Sequence, residues 1–291
     1  MYYALILIPV VMFSLQTLSF KDFSQHLMQG IESYFLFNFL YFGLSVLIFA
    51  GMNRKWESVH PMTAILAVCF GFIFIMSIYL YMQAMSLGPV SISSLIYSMA
   101  MFIPILCGAL FWDEPISLTQ LIGLAFLLMT FMLTSQASGT DKEPTARWLM
   151  YCLAACLFNG LLMTLSKLHQ KLFTGMEVEE FLMIAFGAAA LISLFIFAAK
   201  RIRHKGDLSR LRQKRFVLLV VAAGLTTGIG NLAALELAGR IPAVIQFPCT
   251  NGGYVILSSI LSSVIYKERI SRKRAAGLAV GLVGLILLSS G

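Results

Sequence analysis

The spacing of apolar runs constrains this chain more than any other feature. Ten stretches are nearly free of charge: Tyr2 to Phe20, Tyr34 to Met52, Met62 to Met82, Val90 to Phe111, Leu118 to Ser135, Trp148 to Ser166, Phe181 to Ala199, Phe216 to Leu237, Ala243 to Ile265 and Ala275 to Leu288. Each approaches the roughly 20 residues that a helix needs to cross about 30 Å of hydrocarbon. Hydrocarbon cannot satisfy an open sheet edge, and these runs lack the short alternation of a membrane barrel, so helices are expected throughout. Only 12% of the residues are charged, against about a quarter in a typical soluble domain. The expected fold is therefore an all-α integral membrane protein with ten transmembrane helices, multi-pass in a plasma membrane such as the bacterial inner membrane. The opening MYYALILIPV has no basic n-region and no small-residue cleavage site near residue 20, so the first run reads as a retained helix.

A net charge of +8 would suit nucleic acid, but the basic residues stand in short connections between apolar runs, where they face the membrane surface. The expected partners are the lipid bilayer and a small-molecule solute, with no nucleic acid. Cys69, Cys107, Cys152, Cys156 and Cys249 all fall inside the expected spans and behave there as small apolar residues. No His or carboxylate accompanies them at ligand spacing, so neither a metal nor another cofactor is expected.

Sliding the second half on the first by 154 positions aligns WDEPISLTQLIGLA, ending at Ala125, with YKERISRKRAAGLA, ending at Ala279. Glu114 then meets Glu268, Ser117 meets Ser271, Gly123 meets Gly277 and, upstream, Ala84 meets Ala238 and Val90 meets Val244. A second match, in a different register, places LQTLS at Leu15 to Ser19 on LMTLS at Leu162 to Ser166. Helices one to five therefore recur as helices six to ten. Five is odd, so the halves lie in the membrane with opposite orientation, as inverted repeats around a central cavity near the midplane. The expected boundaries are residues 1–136 for the first repeat, 137–147 for a linker and 148–291 for the second repeat.

A helix carrying Pro104 that runs into Glu114, Ser117 and Gly123, repeated as Glu268, Ser271 and Gly277, resembles the drug/metabolite transporter superfamily, in particular its ten-helix members with two EamA-like repeats. The resemblance covers nearly the whole chain. It implies transport of metabolites such as amino acids, nucleosides or toxic compounds, by proton-coupled exchange or facilitated diffusion. Ten-helix members usually keep both termini in the cytoplasm, and here the charge pattern disagrees. All but five of the 21 lysines and arginines fall in the connections after helices one, three, five, seven and nine, and the positive-inside rule makes that side cytoplasmic and both termini external.

Within the spans the deep polar residues are amides: Asn159, Asn231, Gln246 and Asn251. An amide both donates and accepts, so it replaces water around a polar solute without the desolvation cost of a buried charge. Bridging between helices is the alternative reading of each. Their aligned first-half positions, Met12, Ser77, Ile92 and Tyr97, are less polar, and Tyr81, Gln83 and Tyr97 are the best first-half contributors. Glu236 lies inside an apolar run with Arg240 four residues on, which leaves open a proton-coupling carboxylate and an interfacial ion pair. Glu114 and Glu268 each precede a serine by three residues and read mainly as turn fasteners, with Ser117 and Gln120 spaced as a capping box. Pro248, followed by Gly252 and Gly253, favours a kink or local break, and Pro104 a bend that shapes the cavity. Lys167 and His169 read as a snorkelling pair at the membrane interface. Gly277, Gly281 and Gly284 offer a close-packing face that leaves monomer and homodimer both open.

Nothing at membrane depth pairs a nucleophile with a base, and there is no H-E-x-x-H or P-loop, so an enzyme is not expected. A secondary transporter working by alternating access is the leading expectation. A lipid-linked-precursor flippase, or a non-transporting scaffold or receptor, are the alternatives, and inverted halves serve neither scaffold nor receptor in any obvious way.

Overall fold

A computed structural model describes residues 2–52, 59–88, 90–134, 145–203, 208–265 and 271–290. Glu268 and most of the expected linker lie outside them. The described chain forms ten principal helices: α1 (Tyr2–His26), α2 (Ile31–Met52), α3 (Pro61–Leu87), α4 (Val90–Ser98, a 3-10 turn at Met99–Met101, then Phe102–Phe111), α5 (Leu118–Thr134), α6 (Ala146–Leu172), α7 (Val178–Arg203), α8 (Lys214–Ala238), α9 (Ala243–Ile265) and α10 (Arg272–Ser290). Eight are long and apolar enough to cross a membrane, while α5 and most of α10 are shorter apolar helices. The fold is an all-helical, multi-pass membrane protein of ten helices.

Local sequence sets the helix boundaries. The Ser117 hydroxyl accepts from the Gln120 amide at 3.2 Å while the Gln120 side chain accepts from Ser117 N–H at 3.0 Å, a reciprocal cap that starts α5. Thr145 accepts from Trp148 N–H to start α6, and His60 caps α3, whose first residue is Pro61. Pro104 has no N–H for the carbonyl of Ala100, and the chain just ahead of it tightens into the 3-10 turn. Of the kink or break expected at Pro248 the break is absent, since α9 runs continuously from Ala243 to Ile265 with Pro248 inside it. Its glycines serve packing instead, because a Cβ on Gly252 would meet Leu127 at 2.9 Å and one on Gly253 would meet Val10 at 2.8 Å.

The helices assemble as two walls. α3 packs on α6 and α7, and α6 on α4, forming one wall; α8 packs on α1 and α2, and α9 on α1, forming the other. Adding five to each helix number, with α1 counted after α10, turns the pairings of one wall into those of the other. The walls join at one edge through α2 against α7 and at the other through α5 against α10; between the edges α6 meets α8 and α4 meets α9. Glycine permits the closest approaches, as expected where lipid offers no hydrophobic drive between helices. A Cβ on Gly71 would stand 2.3 Å from the Ala185 carbonyl oxygen of α7. Gly123 faces Gly284 and Leu288, and Gly277, 154 positions further on, faces Thr130 and Thr134, themselves 154 positions before Gly284 and Leu288. The glycine face of α10 is thus occupied within the chain by α5.

Polarity is distributed for an apolar solvent. Large apolar side chains such as Leu47, Phe195 and Leu110 are outermost, whereas Ser14, Asn38, Ser45, Thr63, Ser77, Lys167, His169, Gln170 and Gln246 are buried. Many buried hydroxyls bond to a carbonyl one turn back, as Ser14 does to Val10 at 2.6 Å and Ser45 to Tyr41 at 3.0 Å.

Gly71→Ala forces α3 away from the α7 backbone and is expected to destabilise the detergent-purified protein by about 1–3 kcal/mol. Gly43→Ala, with open space around it, leaves the melting temperature unchanged or slightly raised.

Candidate functional site

The polar side chains that face the seam between the walls form the candidate site. On one wall Tyr81 of α3 and Tyr97 of α4 stack with ring centroids 4.2 Å apart. The Tyr97 hydroxyl bonds Ser77 at 3.2 Å, and Ser77 in turn reaches the Ala155 carbonyl of α6. On the other wall Tyr254 of α9 meets Phe13 of α1 edge-on at 6.3 Å and lies within electrostatic reach of both Tyr81 and Tyr97. All three tyrosines are partly buried.

The amides divide between this seam and the walls. Asn159 is 9% exposed on α6, one turn before Met163, which receives a 3.7 Å contact from the Asn251 amide of α9 across the seam. Asn231 donates to the Thr227 carbonyl one turn back on α8, and the Gln16 amide of α1 bonds the Thr227 hydroxyl. Gln246 is buried between α9 and α8, donating to the Ala234 carbonyl at 2.6 Å; its Oε1, like the Thr250 hydroxyl one turn further along α9, has no partner among the described residues. Gln83 stands two residues from Tyr81, hence on the opposite side of α3. Glu236 is exposed and likewise lies two residues from Ala234, on the side of α8 away from Gln246. Arg240 does not pair with it: its guanidinium donates to the Tyr2 hydroxyl at 2.7 Å and covers the Tyr2 ring.

Helix periodicity carries the Asn159–Met163 face of α6 onward to Lys167, and here the structure corrects the sequence expectation. Lys167 is 1% exposed and does not snorkel. Its Nζ is 2.9 Å from Glu114 Oε1 and donates to the Ile241 carbonyl at 2.6 Å. Lys171 reaches the same Oε1 at 2.9 Å, and Ala243 N–H donates to Oε2 at 2.7 Å. Glu114 therefore does more than fasten its own turn, which begins at Asp113 with φ +50°: it ties the α4–α5 turn to α6 and to the start of α9. On its outer side opens a pocket of about 410 Å³ bordered by Tyr3, Ser117, Gln120, Pro242 and Ser290. His169 is also fully buried, its ring between Thr63 at 3.2 Å and the Gln170 amide at 3.1 Å. Residue type alone did not mark Lys167, Gln16 or Tyr254; Lys167 was disguised by its position at the end of an apolar run.

Burial alone would raise the Glu114 carboxyl, but the Ala243 N–H and the two ammonium groups outweigh it and hold it below its ordinary value of 4.5. A depressed carboxylate contributes stability above its unfolded value and loses it as pH falls through the folded one. The melting temperature of the purified protein is therefore expected to decline as pH is lowered below about 4.5, and in Glu114→Gln that part of the decline disappears.

Among the described residues no cluster of His, Cys, Asp or Glu could hold a metal ion. Residues 146–290 match the EamA-like transporter family. A solved structure described as "Crystal structure of protein" is 14% identical, covers 99% of this chain and 96% of its own, and superposes with a TM-score of 0.77, a likeness in fold. No curated protein matches the chain.

Proposed function

We propose that this chain, which belongs through residues 146–290 to the EamA-like transporter family of the drug/metabolite transporter superfamily and is thus a multi-pass membrane transporter, carries a small polar or amphipathic metabolite by alternating access. The observation that carries the reading is the seam. Tyr81, Tyr97 and Asn159 on one wall look towards Tyr254 and Asn251 on the other, and each wall satisfies most of its own polar groups. Walls built that way can part on either side of a solute without leaving many groups unbonded. The edges α2–α7 and α5–α10 serve as the lines about which they rock.

The two halves, 1–136 and 148–291 around a linker at 137–147, are the inverted repeats that make such rocking reversible in direction. The matched glycine contacts of α5 and α10, and the helix pairings that recur five helices on, support that division. Tyrosine faces and neutral amides suit an amino acid, nucleoside or similar compound better than a strongly charged ion. Facilitated diffusion and proton exchange both fit. In the bilayer the basic connections face the cytoplasm and both termini the exterior, with the plasma membrane as the site. A reporter enzyme active only outside the cytoplasm, fused after Gly291, is expected to be active; silence there, with the same reporter active after Ser209, reverses the orientation.

The function is tested in two steps. A thermal-shift screen of amino acids, nucleosides and cationic drugs on detergent-purified protein identifies ligands, and liposomes then measure their flux with and without a pH gradient. Asn159→Ala and Asn251→Ala are each expected to raise the half-saturating concentration about tenfold, as loss of one hydrogen bond of roughly 1.4 kcal/mol requires, without lowering the melting temperature comparably. Glu236→Gln, outside the seam, leaves flux and its pH response unchanged. Ligands that bind but never cross would favour a receptor.

A further inference from the structure

We infer that Glu114 and Lys167, closing on the Ile241–Ala243 turn, form the gate that shuts the solute path at the face bearing the chain termini; the inference rests on the transporter reading above. Three observations converge on it. First, the cluster crosses from wall to wall. Glu114 and Lys167 belong to the α4–α5 turn and α6, whereas Ile241 and Ala243 belong to the α8–α9 turn, so the bonds from Lys167 to Ile241 at 2.6 Å and from Ala243 to Glu114 at 2.7 Å join one wall to the other. At the opposite end the bonds from Lys21 to Ser262 and from Arg215 to Asp22 lie within a single wall, and the pair between walls is Arg201 with Glu32 at 3.8 Å, on the α2–α7 edge about which the walls rock. Second, the cluster has open space outside and the seam inside. The 410 Å³ pocket reaches Glu114 from the terminal face, and Lys167 continues inward along α6 to Met163 and Asn159. Third, the ions are held but not enclosed in hydrocarbon. Glu114 accepts from three donors, and one of these, Lys171, remains a third exposed, so water can replace the lost partners when the walls part at this face.

A gate residue differs from a merely structural one in controlling access from one side only. The probe is a cysteine at Met163→Cys, in a chain whose five native cysteines are replaced by alanine or serine, labelled by a membrane-impermeant thiol reagent. The reagent is applied in turn to each face of sealed vesicles. Glu114→Gln and Lys167→Met are each expected to speed labelling from the terminal face at least tenfold and to leave labelling from the other face within twofold. Lys167→Arg, which keeps the charge and the donors, holds the slow rate. Unchanged labelling from the terminal face, in variants that elute as single species, overturns the gate. Where the first two variants do not elute so, Lys171→Met decides in their place: a roughly threefold faster rate supports the gate and an unchanged rate overturns it. Flux in liposomes separates this from the wider reading. Solute movement without side-specific labelling removes the gate alone, and absence of movement for every ligand found removes the transporter reading, whatever the labelling shows.

Discussion

Hydrocarbon offers no hydrogen bonds, and that lack organises the whole molecule. Along the spans the backbone groups are satisfied within their own helices, which is why the described chain is helical almost throughout. Most buried polar side chains likewise find a partner in protein. Serines and threonines turn back on their own helices, His169 is held between Thr63 and Gln170, and Gln246 reaches the Ala234 carbonyl of α8. The outer surface is left to leucine, phenylalanine and isoleucine. Because most polar bonds close within one wall, the boundary between walls is carried chiefly by apolar and aromatic contact, with the Glu114 cluster as its conspicuous polar seal.

Much of this was legible in the amino-acid sequence. The apolar runs mark the ten helices because length and charge depletion are properties of the segment itself, independent of its neighbours. The shift of 154 positions is legible for the same reason, and it reappears in space as the matched contacts of Gly123 and Gly277. The Ser117–Gln120 cap is local enough to read directly from spacing. Helix ends were less legible. α6 continues to Leu172, and in its last turns Lys167 and His169 find tertiary partners, while nothing in their own segment announces Ile241, Glu114 or Thr63.

The site residues divide along the same line. Amides inside apolar runs identify themselves as unusual, but sequence does not say which bridge helices, as Gln246 does, and which face the seam, as Asn159 does. Gln83 and Glu236 resemble interior candidates by depth and are turned away by helix phase, which a two-residue offset is enough to reverse. Lys167 shows the opposite error: a lysine beside the end of a span ordinarily extends to the interface, and only the arrival of a carboxylate and a carbonyl from two distant turns makes burial the better outcome.

The paired contacts of α5 and α10 carry a further consequence. Gly123 lies against residues whose counterparts, Thr130 and Thr134, are on its own helix, and Gly277 lies against the counterparts of Gly284 and Leu288. A single five-helix half therefore holds both members of the contact, which is the condition for closing on a second copy of itself. On the two-repeat division proposed above, what this chain forms between its two ends corresponds to an isologous interface with the two subunits covalently joined. Once joined, each side is free to drift, so a symmetric frame can come to surround an asymmetric lining.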